Sequence, residues 1–135
     1  MDDEMLARAR RAMDNAYAPY SKFKVGAVVR AANGALYAGC NVENAAYPEG
    51  WCAEASAVAA MIADGERRIV EVAVIGQGAA LVTPCGGCRQ RLREFADEAT
   101  PIHICGPEGV RRTVTLGELL PLSFGPNNVT PRGQP

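Results

Sequence analysis

Trp51-Cys52-Ala53-Glu54, read with Pro84-Cys85-Gly86-Gly87-Cys88-Arg89-Gln90, is the part of the chain from which the rest can be placed. One cysteine lies two residues before a glutamate, and a Cys-x-x-Cys pair led by proline follows further along. At i, i+3 around a helix entrance, Cys85 and Cys88 bring two sulfurs to one point, and Cys52 supplies a third. Three thiolates hold one zinc ion and leave its fourth position open to water; a structural site closes with four ligands. A glutamate beside the first ligand is placed to carry protons for chemistry on that water. The competing readings are a redox Cys-x-x-Cys pair or plain buried thiols, and the redox reading leaves Cys52-x-Glu54 unexplained. Glu54 on its own also suits the first turn of a helix, where a carboxylate meets the positive end of the dipole. His103, the single histidine, alternates with Ile102 and Ile104, so it reads as a core-edge or surface residue and not as a fourth ligand. Gly86 and Gly87 are expected to admit close backbone approach.

Working outward, residues 53–63 hold almost nothing but small apolar side chains, the pattern of a helix buried all round, ended by Asp64-Gly65. The nearly continuous β-branched run over 69–76 predicts a strand covered on both faces. Residues 88–95 predict another helix, carrying Arg89, Arg91 and Arg93. Both cysteine segments therefore open helices, whose N-termini point at the metal from one end of a sheet. Upstream, alternation of Phe23, Val25, Ala27 and Val29 predicts a strand over 23–30. Asn33-Gly34 turns it into a second strand over 35–40. Leu6, Ala9, Met13 and Ala16 or Tyr17 recur at helical spacing with Arg8, Arg10 and Arg11 between them, an amphipathic helix that ends before Pro19. Downstream, 102–105 and 111–115 are short strands, and Thr115-x-x-Glu118 is a capping-box pattern opening a last helix. Cys40 and Cys105 read as small buried hydrophobes. Residues 126–135 are turn-rich and read as a loose tail. This order gives an α/β fold: a mixed five-stranded sheet with helices packed on it.

Bulk properties agree with one domain over 1–135. Apolar residues make up 48% and charged residues 21% of the chain, an ordinary globular balance. A formal charge of −1 is poor footing for nucleic acid, which selects a basic face. Five cysteines, an odd count with a Cys-x-x-Cys, argue against a disulfide scaffold and for a reducing compartment. Met1-Asp2-Asp3-Glu4 lacks the basic end and apolar core of a signal peptide. No apolar run approaches the roughly 20 residues that span a bilayer. A cytoplasmic protein is the expectation.

Five segments in order resemble the cytidine deaminase family, in its small homotetrameric three-cysteine form. They are Tyr17-Ala18-Pro19-Tyr20-Ser21-Lys22-Phe23-Lys24-Val25-Gly26-Ala27, Asn41-Val42-Glu43-Asn44-Ala45-Ala46-Tyr47, Cys52-Ala53-Glu54, Pro84 to Gln90, and Glu118-Leu119-Leu120-Pro121 with Phe124. The resemblance implies a three-layer α/β/α fold and one zinc per subunit on Cys52, Cys85 and Cys88. It also implies hydrolysis of the amino group of cytidine or deoxycytidine, with Glu54 moving protons between water, ring N3 and the leaving nitrogen. By the same resemblance the Asn41, Val42 and Glu43 segment contacts the ribose, Phe23 stacks on the pyrimidine, and the Ala53 N–H meets the base. Tyr47 and Phe124 reach a neighbouring subunit's site. Read without the resemblance, Asn41 and Glu43 are loop-turn residues and Phe23 is a strand core residue. Members of this form usually carry arginine directly after Cys-Ala-Glu, where this chain has Ala55. Arg89, beside Cys88, is the cation the sequence offers in its place. Pro48-Glu49-Gly50 is the weakest stretch of the match, and Trp51 has no assigned role. Two other readings stay open: a deaminase of another aminated ring, such as blasticidin S, and a zinc-stabilised binding module without turnover. Polynucleotide editing is disfavoured by the lack of a basic track.

Overall fold

The computed structural model of the chain describes residues 1–129. Its centre is a sheet of five strands in the order β2-β1-β3-β4-β5. β1 (Val25–Ala31) and β2 (Leu36–Cys40) form the expected hairpin. Gly34 adopts φ +92° there, and the Asn33 side chain accepts a hydrogen bond from the Ala35 N–H at 2.9 Å, the local chemistry that makes Asn-Gly a turn. β3 (Ile69–Gly76) runs antiparallel to β1 and parallel to β4 (Pro101–Gly106). β5 (Gly109–Thr115) closes the far edge antiparallel to β4. The sheet is therefore mixed.

Helices cover both faces. α1 (Asp3–Asp14) packs Met5, Ala9 and Met13 against Val28, Ala73, Ile75 and Cys105. α2 (Ala53–Ala63) and α3 (Gly86–Phe95) pack on the other face, where Ala57, Met61 and Leu92 meet Ala27, Val29, Val72 and Ile104. This is the three-layer α/β/α arrangement. The seam of α1 begins at Met5 and not at the expected Leu6, because Met5, Ala9 and Met13 lie in one i, i+4 line and Leu6 falls at its edge. Two close approaches set the layers. A Cβ on Gly26 would lie 2.3 Å from the Ala9 carbonyl oxygen on α1, and one on Gly39 would lie 2.4 Å from the Ala57 nitrogen and 2.6 Å from the Ala53 carbonyl oxygen on α2. Glycine at 39 thus lets the first turn of α2 rest directly on β2.

Several expectations need correction. β1 starts at Val25, not at residue 23. The Asn41 amide accepts from the Val25 N–H at 2.9 Å and donates to the Phe23 carbonyl at 2.8 Å, taking the place of a strand partner and turning Phe23 out of the sheet, 40% exposed. α2 is not buried all round: Ala59, Ala60 and Ala63 are exposed in the single chain. α3 begins at Gly86, so Cys88 lies inside its first turn. Cys105 is buried as expected, but Cys40 is only half-buried. The capping box forms at α4 (Leu116–Leu119). Of the expected tail, Pro126–Val129 forms a short helix, α5, with the Asn128 side chain accepting from the Gly125 N–H at 2.8 Å; 130–135 lie outside the described residues.

Candidate metal centre

α2 and α3 start side by side, and each starts on a cysteine. Cys52 is the N-cap of α2 and Cys85 the N-cap of α3, and neither sulfur is used for capping. Cys88 sits in the first turn of α3. The sulfurs of Cys52, Cys85 and Cys88 all lie within 4.8 Å of one another. A tetrahedral zinc with sulfurs about 2.3 Å away sets them roughly 3.8 Å apart, so this donor set fits a single zinc ion with one corner left open. The two helix N-termini add partial positive charge on the same side.

Burial pushes the Cys52 thiol up, against a hydrogen bond with Cys88 that pulls it down. Burial, then the charges of Glu54 and Cys52, push Cys88 well above a free thiol. Cys85 is also raised by burial, but hydrogen bonds from the Cys88 backbone N–H and from the Cys88 and Cys52 side chains outweigh this and hold it below a free thiol. Glu54, in the first turn of α2 and only 5% exposed, is raised by burial, which its own backbone N–H and nearby Arg91 only partly offset. Crowded thiols and a desolvated carboxylate are the environment that a divalent cation relieves.

Arg89 does not serve this cluster. Its guanidinium donates to the carbonyls of Pro84 and Leu119, both at 2.7 Å, and to the Thr83 hydroxyl at 3.0 Å, tying α3 to the loop before it and to α4. The cation at the sulfurs is Arg91, whose Nη1 lies 3.6 Å from Cys88 Sγ. Its i+3 spacing from Cys88 was the available signal. A Cβ on Gly86 would meet nothing within 4 Å, whereas one on Gly87 would lie 3.3 Å from Arg91 Nη1. The room at Gly87 is thus taken by a side chain and not by backbone. His103 is away from the cysteines, bridging the Thr113 hydroxyl at 2.9 Å and the Glu71 carboxylate at 2.7 Å.

The 41–43 segment is stitched beside the cysteines. Val42 and Trp51 exchange backbone hydrogen bonds at 2.9 and 2.8 Å, and Tyr17 bonds Asn41 and Glu43 on the other side. Glu43 accepts from the backbone N–H groups of Tyr20 and Ser21 at 2.9 and 3.0 Å and from the Ser21 hydroxyl. The Ser21 hydroxyl foremost, then those N–H groups, hold its carboxyl below the usual range. Glu43 and Tyr47 line a cleft of about 360 Å³ with Tyr20 and Asn44; Phe23, Ala53 and Phe124 do not. Ala53 is the first residue of α2 and buried, Tyr47 is 74% exposed beside Tyr20, and Phe124 is 60% exposed.

Comparisons with known proteins agree with this geometry. Residues 1–104 match the family described as "Cytidine and deoxycytidylate deaminase zinc-binding region". The chain is 37% identical to a cytidine deaminase of Sporosarcina psychrophila, over 95% of this chain and 94% of that protein. It is 39% identical to one of Mycobacterium tuberculosis, over 93% of this chain and 91% of that one. The crystal structure of cytidine deaminase from Burkholderia pseudomallei superimposes with a TM-score of 0.85 at 37% identity, covering 92% of this chain and all of the other. Matched from its first helix to the strand beyond its cysteine pair, the chain belongs to the cytidine and deoxycytidylate deaminase zinc-binding family.

Proposed function

We propose that this protein hydrolyses cytidine and deoxycytidine to the corresponding uracil nucleosides and ammonia, with one zinc held by Cys52, Cys85 and Cys88. The observation that carries this reading is the convergence of three sulfurs beside a buried glutamate. Zinc, when bound there, supplies the Lewis acidity that makes water a competent nucleophile at neutral pH.

The chain's own residues supply the rest. Glu54, whose burial raises its affinity for protons, takes the proton of the attacking water and places it on ring N3. It then takes the proton of the hydroxyl formed on C4 and delivers it to the departing nitrogen, which leaves as ammonia, so one carboxylate returns to its starting state each turn. The Ala53 N–H, at a helix entrance that lacks intrahelical partners for it, holds the base. Asn41, Val42 and Glu43 face the ribose; Asn41 is held in place by Val25 and Phe23, and Glu43 by Tyr20 and Ser21, so they meet it preorganised, and a free base would forgo those contacts. Phe23, turned out of the sheet, offers its ring to the pyrimidine.

Tyr47 and Phe124 complete a neighbour's site in a homotetramer. Their exposure, with that of Ala59, Ala60 and Ala63 on α2, supports this. A single domain working in the cytoplasm on small nucleosides, with no nucleic-acid partner, completes the reading. Among the described residues all five cysteines are free and no helix is long and apolar enough to cross a membrane.

Ammonia release from purified protein, across cytidine, deoxycytidine, cytosine and blasticidin S, tests the activity. Nucleosides should react and free cytosine should lag; turnover of blasticidin S alone, or none, would reassign the protein. Light scattering should give a tetrameric mass, and Phe124→Ala should raise KM several-fold with little change in melting temperature.

A further inference from the structure

We propose that Arg91 is the residue that balances the negative charge of this metal centre, supplying from α3 the cation that Ala55 leaves out of α2. The inference rests on the assignment of Cys52, Cys85 and Cys88 as ligands. Three thiolates and one divalent ion sum to a single negative charge; Cys85 is exposed and Cys52 half-buried, so solvent screens it least at the buried sulfur of Cys88. The two helix N-termini offset roughly half a charge each at most, and they point from one side only.

Three features single out Arg91. Its Nη1 stands 3.6 Å from Cys88 Sγ, within reach of an N–H···S hydrogen bond. Its guanidinium occupies the space beside Gly87, where a Cβ would come to 3.3 Å of Nη1; any side chain at 87 would crowd that path. The other arginines of α3 are held elsewhere: Arg89 by Pro84, Thr83 and Leu119, and Arg93 by the Ser123 hydroxyl at 2.9 Å and the Ala96 carbonyl at 3.4 Å.

Position 55 addresses the same space. Ala55 and Arg91 line one surface cleft of about 380 Å³, together with Trp51, Val58, Glu94 and Phe95. An arginine rooted at 55 would therefore open onto the same cleft as Arg91, from the neighbouring helix. Arg91 is a positioning residue: it acts on the ligand sulfur and through it on the metal, and it touches no substrate atom in this reading.

Zinc affinity, measured at fixed pH by competition with a chromogenic chelator, tests this in the parent and in Arg91→Lys, Arg91→Gln and Arg91→Gln/Ala55→Arg. Circular dichroism checks that each is folded. Loss of a hydrogen-bonded partner of a metal ligand costs about 10- to 100-fold in affinity, which is the expected loss in Arg91→Gln. Lysine keeps the charge and should retain most of the affinity, and the double variant should regain it from the other helix. If the Gln and Lys variants bind zinc equally well, whether like the parent or equally weakened, charge is not the role of Arg91. Cys85→Ala, measured alongside, separates the two levels: zinc binding undiminished in that variant would instead overturn the ligand assignment itself.

Discussion

Glu54 and Glu71 sit on opposite faces of the sheet, both mostly withdrawn from solvent, and their surroundings treat them in opposite ways. Glu71, on β3, accepts from Arg30 Nε at 3.0 Å and faces His103 Nε2 at 2.7 Å, with the chain's amino terminus at 3.8 Å. Burial pushes its carboxyl up, but the bonds from His103 and Arg30 prevail and hold it below the usual range. Glu54 is buried more deeply and lacks comparable partners, so its carboxyl stays raised, as do the thiols of Cys52 and Cys88 beside it. One cluster is complete within the fold. The other keeps a raised carboxyl beside raised thiols, and such perturbed groups are what mark a candidate reacting site against a structural charge network.

Removing a ligand should break this contrast most severely. Cys85→Ala leaves two sulfurs, too few to hold the ion; zinc content by atomic absorption should fall from one per chain to near zero, and turnover with it. Glu54→Gln comes next. The amide fills the same space but cannot take a proton, so turnover should drop by about 10²- to 10⁴-fold while zinc content stays whole. Substantial residual deamination would remove Glu54 from the reaction.

The counterpart at the structural cluster should behave in reverse. Glu71→Ala strips Arg30 and His103 of a shared partner and should cost about 1–3 kcal/mol of stability in chemical denaturation, with kcat per zinc unchanged. The smallest effect is in the pH dependence. Because the folded pKa of Glu71 is depressed, its stabilisation is present above the ordinary carboxylate value of about 4.3 and is lost as pH falls through the lower folded value. Melting temperatures of the parent and Glu71→Gln should therefore differ near neutrality and converge in acid. A constant gap down to pH 3 would mean the ion pairs contribute nothing.

What the sequence disclosed about these regions follows the range of the interactions involved. The Cys85–Cys88 pair and Cys52 two residues before Glu54 were legible because i, i+3 and i, i+2 spacing at a helix start is local geometry; that the two helix starts meet is shown by the fold. The hairpin and the capping box were legible for the same reason. Arg91 was legible only in part: its i, i+3 spacing from Cys88 puts it on that face of α3, but Arg89 stands nearer in sequence, and only its bonds to Pro84, Thr83 and Leu119 show that it is engaged elsewhere. The partner of His103 was equally hidden, since it depends on how β3 and β4 pair in space. Phe23 continued an apolar alternation, and nothing within that run signals that an amide from residue 41 would end the strand before it. Exposed alanines on α2 fit the expectation of burial only if another chain covers them.

The contact at Gly39 sets a limit on what evolution or an engineer can change here. With the α2 backbone at 2.4 and 2.6 Å from the point where a Cβ would stand, no side chain fits unless the helix retreats. Cys52, the N-cap at its head, would retreat with it. Position 39 therefore has an alphabet of one letter, although its residue binds nothing and reacts with nothing. The residues lining the cleft at Tyr20, Asn44 and Tyr47 are open to variation, but a side chain at 39 would be felt at the cysteines.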